Sequence, residues 1–302
     1  MDVLRTPDER FAVLSDWLFV PRYQEVRATD GTALRFHYVD EGPRAAAPIL
    51  LLHGNPSWSY LHRKMIRDLL ALGHRVLALD LMGLGRSDKP VDRADYTLAS
   101  HIGWVSDWLE ALALEDVTLY CQDWGGLIGL NAVSRQADRF RAIVASYTGV
   151  PVGEGSNPFI EQWLEFSQKV PYLEVSGLVD MGAHRALGDA EKRAYDAPFP
   201  DRSYQAGALE FPLLIPVQPE NPGVPMCREL WKFLEQWSKP FITVFGELDM
   251  VSPKSQQAFI KRVPGAKDVP HWLLSGAAHF IQEDRPADLV RIIDRAQRGD
   301  WL

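Results

Sequence analysis

The chain has 302 residues, 46% of them hydrophobic and 24% charged, with a net charge of −8. That acidic balance argues against nucleic acid or an anionic membrane surface as a partner, and no apolar run approaches the roughly 20 residues of a membrane span. The start, Met1 to Arg10, has no apolar core of signal-peptide length, and the two cysteines, Cys121 and Cys227, form neither a disulfide framework nor a metal-ligand pair. A soluble cytoplasmic protein with one or two domains is expected, with no metal and no cofactor.

The first third reads as strands and turns. Leu34 to Val39 is strand-like and closes in the turn Asp40-Glu41-Gly42-Pro43. Pro48 to Leu52 and Arg75 to Leu79 are short apolar runs, as in parallel strands buried on both faces. Between them Leu61 to Leu72 has helical spacing. A second helix is predicted over Leu98 to Leu112, with Trp104 and Trp108 on one face as core packing. Ala142 to Ala145 is the next buried strand. From Pro151 to about Pro225 the composition turns to Pro, Gly and aromatics without continuous apolar strands, apart from a helical pattern over Phe159 to Val170. The core pattern resumes with the strand Phe241 to Phe245, a helix over Pro253 to Val263, the strand Val269 to Leu274 and a final helix from Arg285. Strands alternating with helices imply a mostly parallel sheet flanked by helices. The division expected is a core over 1–150, an inserted helical cap over 151–225, and the rest of the core over 226–302.

The most telling stretch is Val117 to Leu130. β-prone residues lead into Gln122-Asp123-Trp124-Gly125-Gly126 and then an apolar helical pattern. A strand, sharp turn and helix with a reactive side chain at the tip is the nucleophile elbow of an α/β-hydrolase. Cys121 and Gly125 flank the tip, where small side chains let strand and helix approach. The nucleophile is Asp123, where esterases carry serine. An alkoxide attacking saturated carbon would leave an ether that active-site water cannot cleave. A carboxylate leaves an ester, which water can hydrolyse. Aspartate at the elbow therefore points to attack on sp³ carbon, in an alkyl halide or an epoxide.

Such an elbow needs a base, an orienting acid and an oxyanion hole. His279, in the loop after the last predicted strand, has the side chain suited to taking a proton from water. Asp249, after the penultimate strand, is the candidate acid that would hold the imidazole, with Glu247 as its local rival. The turn His53-Gly54-Asn55-Pro56 would aim the backbone N–H of Asn55 at the ester carbonyl, paired with that of Trp124. His53 itself reads as structural. A departing halide needs N–H donors in a dry cavity, which the indoles of Trp124 and the cap residue Trp163 could supply. A departing epoxide oxygen needs a proton, for which Tyr172, Tyr195 and Tyr204 are available in the cap.

With these residues in hand, the chain resembles a haloalkane dehalogenase over nearly its full length. The matching segments are His53 to Tyr60, Gly83 to Pro90, Gln122 to Gly126 and, most specific, Tyr195 to Gly207 in the cap. The resemblance implies an Asp-His-Asp triad with a Trp–Trp halide site, a small halogenated aliphatic substrate, water as co-substrate and halide as product. Other members place an Asn side chain beside the halide; here Asn55 is expected to contribute mainly its backbone. The alternatives left open are an epoxide hydrolase and a non-catalytic hydrolase-fold receptor for small hydrophobic ligands.

Overall fold

The computed structural model describes residues 1–252 and 254–300. Eight strands form one sheet: β1 (Arg22–Arg27), β2 (Ala33–Glu41), β3 (Pro48–Leu52), β4 (Arg75–Leu79), β5 (Val117–Gln122), β6 (Phe140–Ser146), β7 (Phe241–Gly246) and β8 (Trp272–Leu274). Their order across the sheet is β8-β7-β6-β5-β3-β4-β2-β1. Strands β3 to β8 run parallel, and β2 and β1 are antiparallel to their neighbours. This is the α/β-hydrolase architecture expected from the sequence, with a mostly parallel sheet and helices on both faces. Every residue of β3, β5 and β7 is buried, as helices on both faces require.

Helices α1 (Arg63–Ala71) and α9 (Pro286–Arg298) pack on each other, as do α2 (Leu98–Ala111) and α3 (Trp124–Arg135). In α9 the buried residues Leu289, Val290, Ile292, Ile293 and Ala296 make one apolar stripe, and Gly299 ends the helix at φ 69°, a conformation in which a side chain is strained. Trp104 and Trp108 are buried in α2, as their spacing predicts. Between β6 and β7 lie α4 (Pro158–Lys169), α5 (Val175–Gly182), α6 (Asp189–Asp196) and the short helix Ala206–Glu210, followed by α7 (Val224–Leu234), which packs on α3. The boundary read at residue 225 thus falls within the first turn of α7.

Three elements differ from the sequence reading. Strand β1 was not anticipated, because only Val26 in it is buried and an edge strand of that kind shows little alternation. The last strand begins at Trp272, after Pro270, rather than at Val269. Helix α8 (Ser255–Arg262) starts later than predicted, and Pro253, the predicted first residue, lies outside the described residues.

Register decides where the chemistry gathers. Leu52 pairs with Cys121, Gln122 with Ser146, Ala145 with Thr243 and Leu274 with Gly246. The parallel strands therefore end level with one another. The loops carrying His53, Asp123, Tyr147, Asp249 and His279 all leave from that same edge, where open parallel sheets place their ligands.

Candidate active site

Asp123 sits between the end of β5 and the start of α3 with φ 54° and ψ −123°, a strained conformation for a residue with a side chain. The surroundings force it. A β-carbon on Gly125 would lie 2.5 Å from the carbonyl oxygens of Leu52 and His53, and one on Gly126 would lie 2.2 Å from Thr148 Oγ1. One on Gly54 would lie 2.1 Å from Asp123 Oδ1 itself. Thr148 Oγ1 donates to the Asp123 carbonyl at 2.8 Å and closes the turn from the β6 side. The Asn55 N–H donates to Asp123 Oδ1 at 2.9 Å. Trp124 opens α3, and the N–H of a first helical residue has no acceptor inside its own helix. Buried His53 accepts the Leu81 N–H at Nε2 (3.0 Å), and burial pushes its pKa down, so it is a neutral structural ring.

His279 Nε2 lies 3.6 Å from Asp123 Oδ2. Burial disfavours the charged ring, but the Asp123 carboxylate and, more weakly, Asp249 outweigh it, so the His279 pKa is raised. The loop of His279 is tied from behind to the segment between β6 and β7. The Phe280 N–H donates to the Gly182 carbonyl (3.0 Å), and Asp284 accepts from the Ala278 N–H (2.9 Å) and from the backbone of His184 and Arg185. Next to it, fully buried Glu283 meets Arg63, Lys64, Arg185 and the Tyr195 hydroxyl, and these contacts depress its pKa to about 2 despite burial. Sequence reasoning missed this cluster. Its members come from α1, the cap and the stretch after His279, and no local spacing links them.

Asp249 is not where the triad reading puts it. Its oxygens accept from the Val251 N–H (2.9 Å), the Ser252 N–H (3.2 Å) and the Ser252 hydroxyl (2.7 Å), while His279 Nδ1 is buried and has no partner among the described residues. The physical reason is local: an aspartate can cap N–H groups two and three residues on without leaving its own turn. Glu247 is exposed, so the rival acid points to solvent.

A cavity of about 520 Å³ opens beside the elbow, lined by Asp123, Trp124, Leu127, Ile160, Ile215 and Trp231 among others. Trp124 is on its wall as predicted. Trp163 is half-buried in α4, stacked 6.0 Å from Phe166, and is not among the lining residues. The Phe211 ring lies 5.1 Å from Trp124, and the turn that Phe211 opens packs on α4, the helix of Trp163. The Asn55 amide donates one N–H to the Ala208 carbonyl at 3.2 Å. The tyrosines needed for epoxide opening are occupied or remote. Tyr195 OH is bonded to Glu283, Tyr172 OH donates to the Phe199 carbonyl (3.1 Å), and neither they nor Tyr204 line the cavity. Among the described residues no group of three or more His, Cys, Asp or Glu is placed to hold a metal, and no helix is long and apolar enough to cross a membrane.

Comparison with known proteins matches residues 47–286 to the α/β-hydrolase fold family. The chain is 46% identical to a haloalkane dehalogenase of Psychrobacter cryohalolentis, over 97% of each chain. It is likewise 46% identical to one of Mycobacterium marinum, over 97% of this chain and 99% of that one. The chain belongs to the haloalkane dehalogenase family. Among solved structures, the haloalkane dehalogenase DpaA from Paraglaciecola agarilytica NO2 superposes with a TM-score of 0.88 at 34% identity, over 99% of both chains. DatA from Agrobacterium tumefaciens C58 follows at 0.79 and 26%, over 93% of this chain and 97% of that one.

Proposed function

We propose that this protein hydrolyses the carbon–halogen bond of small alkyl halides, giving alcohol, halide and a proton. One observation carries the reading: an aspartate at the elbow has Oδ1 on a backbone N–H and Oδ2 facing a histidine 3.6 Å away, and it lines a cavity together with Trp124, Leu127 and Ile160. Oδ2 attacks the halogen-bearing carbon in line, the carbon–oxygen bond forms as the carbon–halogen bond breaks, and halide leaves with the bonding pair. The indole N–H groups of Trp124 and Trp163 are the donors assigned to it. His279 then takes a proton from water, whose hydroxide attacks the ester carbonyl. The oxyanion rests on the N–H groups of Asn55 and Trp124. Collapse expels the alcohol and regenerates the carboxylate, with one net proton released. Asp249 is assigned to the His279 imidazolium, which requires its carboxylate to turn from the Val251 and Ser252 amides toward Nδ1.

The electrostatics suit this order of events. Burial opposes charge on His279, and the Asp123 carboxylate is the strongest influence holding a proton there. Esterification removes that negative charge. The ring is thus freed to be neutral at the stage that needs a base, whereas the first stage needs only the carboxylate.

His279→Ala should therefore still be alkylated but not turn over. After incubation with a bromoalkane, mass spectrometry should find one alkyl group on Asp123. An unmodified protein, or a group bound elsewhere, would overturn the reading.

A further inference from the structure

We propose that Gln122 is a positioning residue for the base: its side-chain amide clamps the His279 loop to the elbow strand and fixes which ring nitrogen carries the proton. The proposal rests on the reading of His279 as the base. Gln122 is the last residue of β5 and is fully buried. Its Nε2 lies 3.2 Å from His279 Nε2 and 3.3 Å from the His279 carbonyl oxygen. An amide nitrogen offers two N–H donors and no acceptor. Of the pair of nitrogens, the ring must therefore be the acceptor, and the neutral imidazole keeps its proton on Nδ1. The same amide holds the loop backbone with its second N–H.

That tautomer matters because Nε2 is the nitrogen facing Asp123 at 3.6 Å, hence the one nearest the future ester carbonyl. In the free enzyme the carboxylate draws a proton toward Nε2, where it would disable the base. Gln122 opposes this by presenting N–H to the same lone pair. Asp249, from the other side, would favour the proton on Nδ1, so the two residues act on opposite nitrogens of one ring. The other end of the amide fits the next step. Gln122 Oε1 is buried and has no partner among the described residues. Nε2 has one lone pair, so the clamp opens before the proton transfer: half a turn of the amide withdraws its N–H and presents Oε1 to the N–H formed as water gives its proton to Nε2 and its hydroxide to the ester carbon. Reversal of the turn resets the clamp as the proton leaves.

The test is Gln122→Met, which keeps length and loses both donors. In single-turnover experiments with a bromoalkane, bromide release should stay within about twofold of wild type while alcohol release slows about tenfold, so that ester accumulates on Asp123. In the His279→Ala background the same change should add nothing to the rate of ester hydrolysis. Nitrogen-15 NMR of the wild type should show His279 Nε2 as an unprotonated imine nitrogen, a readout that stands even where Gln122→Met does not fold. Unchanged alcohol release in folded Gln122→Met, a further slowing in the double variant, or a proton on Nε2 of the neutral wild-type ring would each overturn the role of Gln122. Normal turnover by His279→Ala would instead remove the base reading, and the proposal with it.

Discussion

The site holds two carboxylates from the sheet edge, and the molecule secures them in opposite ways. Asp123 is fixed by tertiary packing. Its turn is pressed between β3 and β6, three glycines leave no room for a β-carbon, and a backbone N–H grips its oxygen. Asp249 is fixed by its own loop, where neighbours at Leu248 and Met250 are exposed and, among the described residues, its oxygens bond to those two and three ahead. Asp123 cannot move without moving the sheet. Asp249 can turn by rotating one side chain. A carboxylate that must attack in line needs the first arrangement, and one that only stabilises a developing charge can operate from the second.

The largest effect should come from breaking the packed side. Gly125→Ala puts a β-carbon 2.5 Å from two backbone carbonyls at the end of β3, and backbone cannot yield as a side chain tip can. Destabilisation of about 3 kcal/mol or more is expected, measured by urea unfolding, with loss of halide release. Gly103→Ala sharpens the contrast. Gly103 lies inside α2 with nothing within 4 Å of its added β-carbon. There alanine should stabilise by about 0.5–1 kcal/mol. Equal penalties at the two positions would show that the elbow is not specially tight.

The locally held acid should give a smaller and more selective effect. Asp249→Asn keeps the loop's shape but removes the charge, so alkylation should continue while ester hydrolysis falls at least about a hundredfold, by analogy with loss of the orienting acid in a hydrolase triad. Exposed Glu247→Gln should stay within about twofold of wild type, the usual outcome of a surface change. Rapid-quench measurement of bromide and alcohol release separates the two steps. If Glu247→Gln were the crippling change, or if Asp249→Asn slowed both steps alike, the acid would be misassigned.

The same contrast explains what could be read before the fold was known. The elbow was legible because its demands are local: β-prone residues, a reactive tip and small residues fall within one short stretch. His279 was legible from its place after the last strand. The orientation of Asp249 was not, since spacing puts a carboxylate in the loop after the penultimate strand but cannot say which N–H groups capture it. The grip of Gln122 on His279 and the Glu283 cluster were hidden for another reason. Each joins residues far apart in sequence through register and cap docking, and only the assembled sheet edge brings them together.

Trp163 provides the finest test, because it lies on α4, an element separate from the loops of both carboxylates. Trp124 lines the cavity from the packed elbow, whereas Trp163 is half-buried and stacked on Phe166. If both indoles donate to halide, bromide should quench tryptophan fluorescence, and Trp163→Phe should weaken bromide binding. Losing one hydrogen bond to a charged group costs about 1.5–3 kcal/mol, or roughly tenfold or more in affinity. Phenylalanine keeps the apolar bulk, so a residue that only packs the lid would leave the titration nearly unchanged. Unchanged affinity in folded Trp163→Phe would leave Trp124 as the one assigned donor. The second would then have to come from another group near the leaving atom. The Asn55 amide gives one N–H to the Ala208 carbonyl and keeps its second N–H for that role.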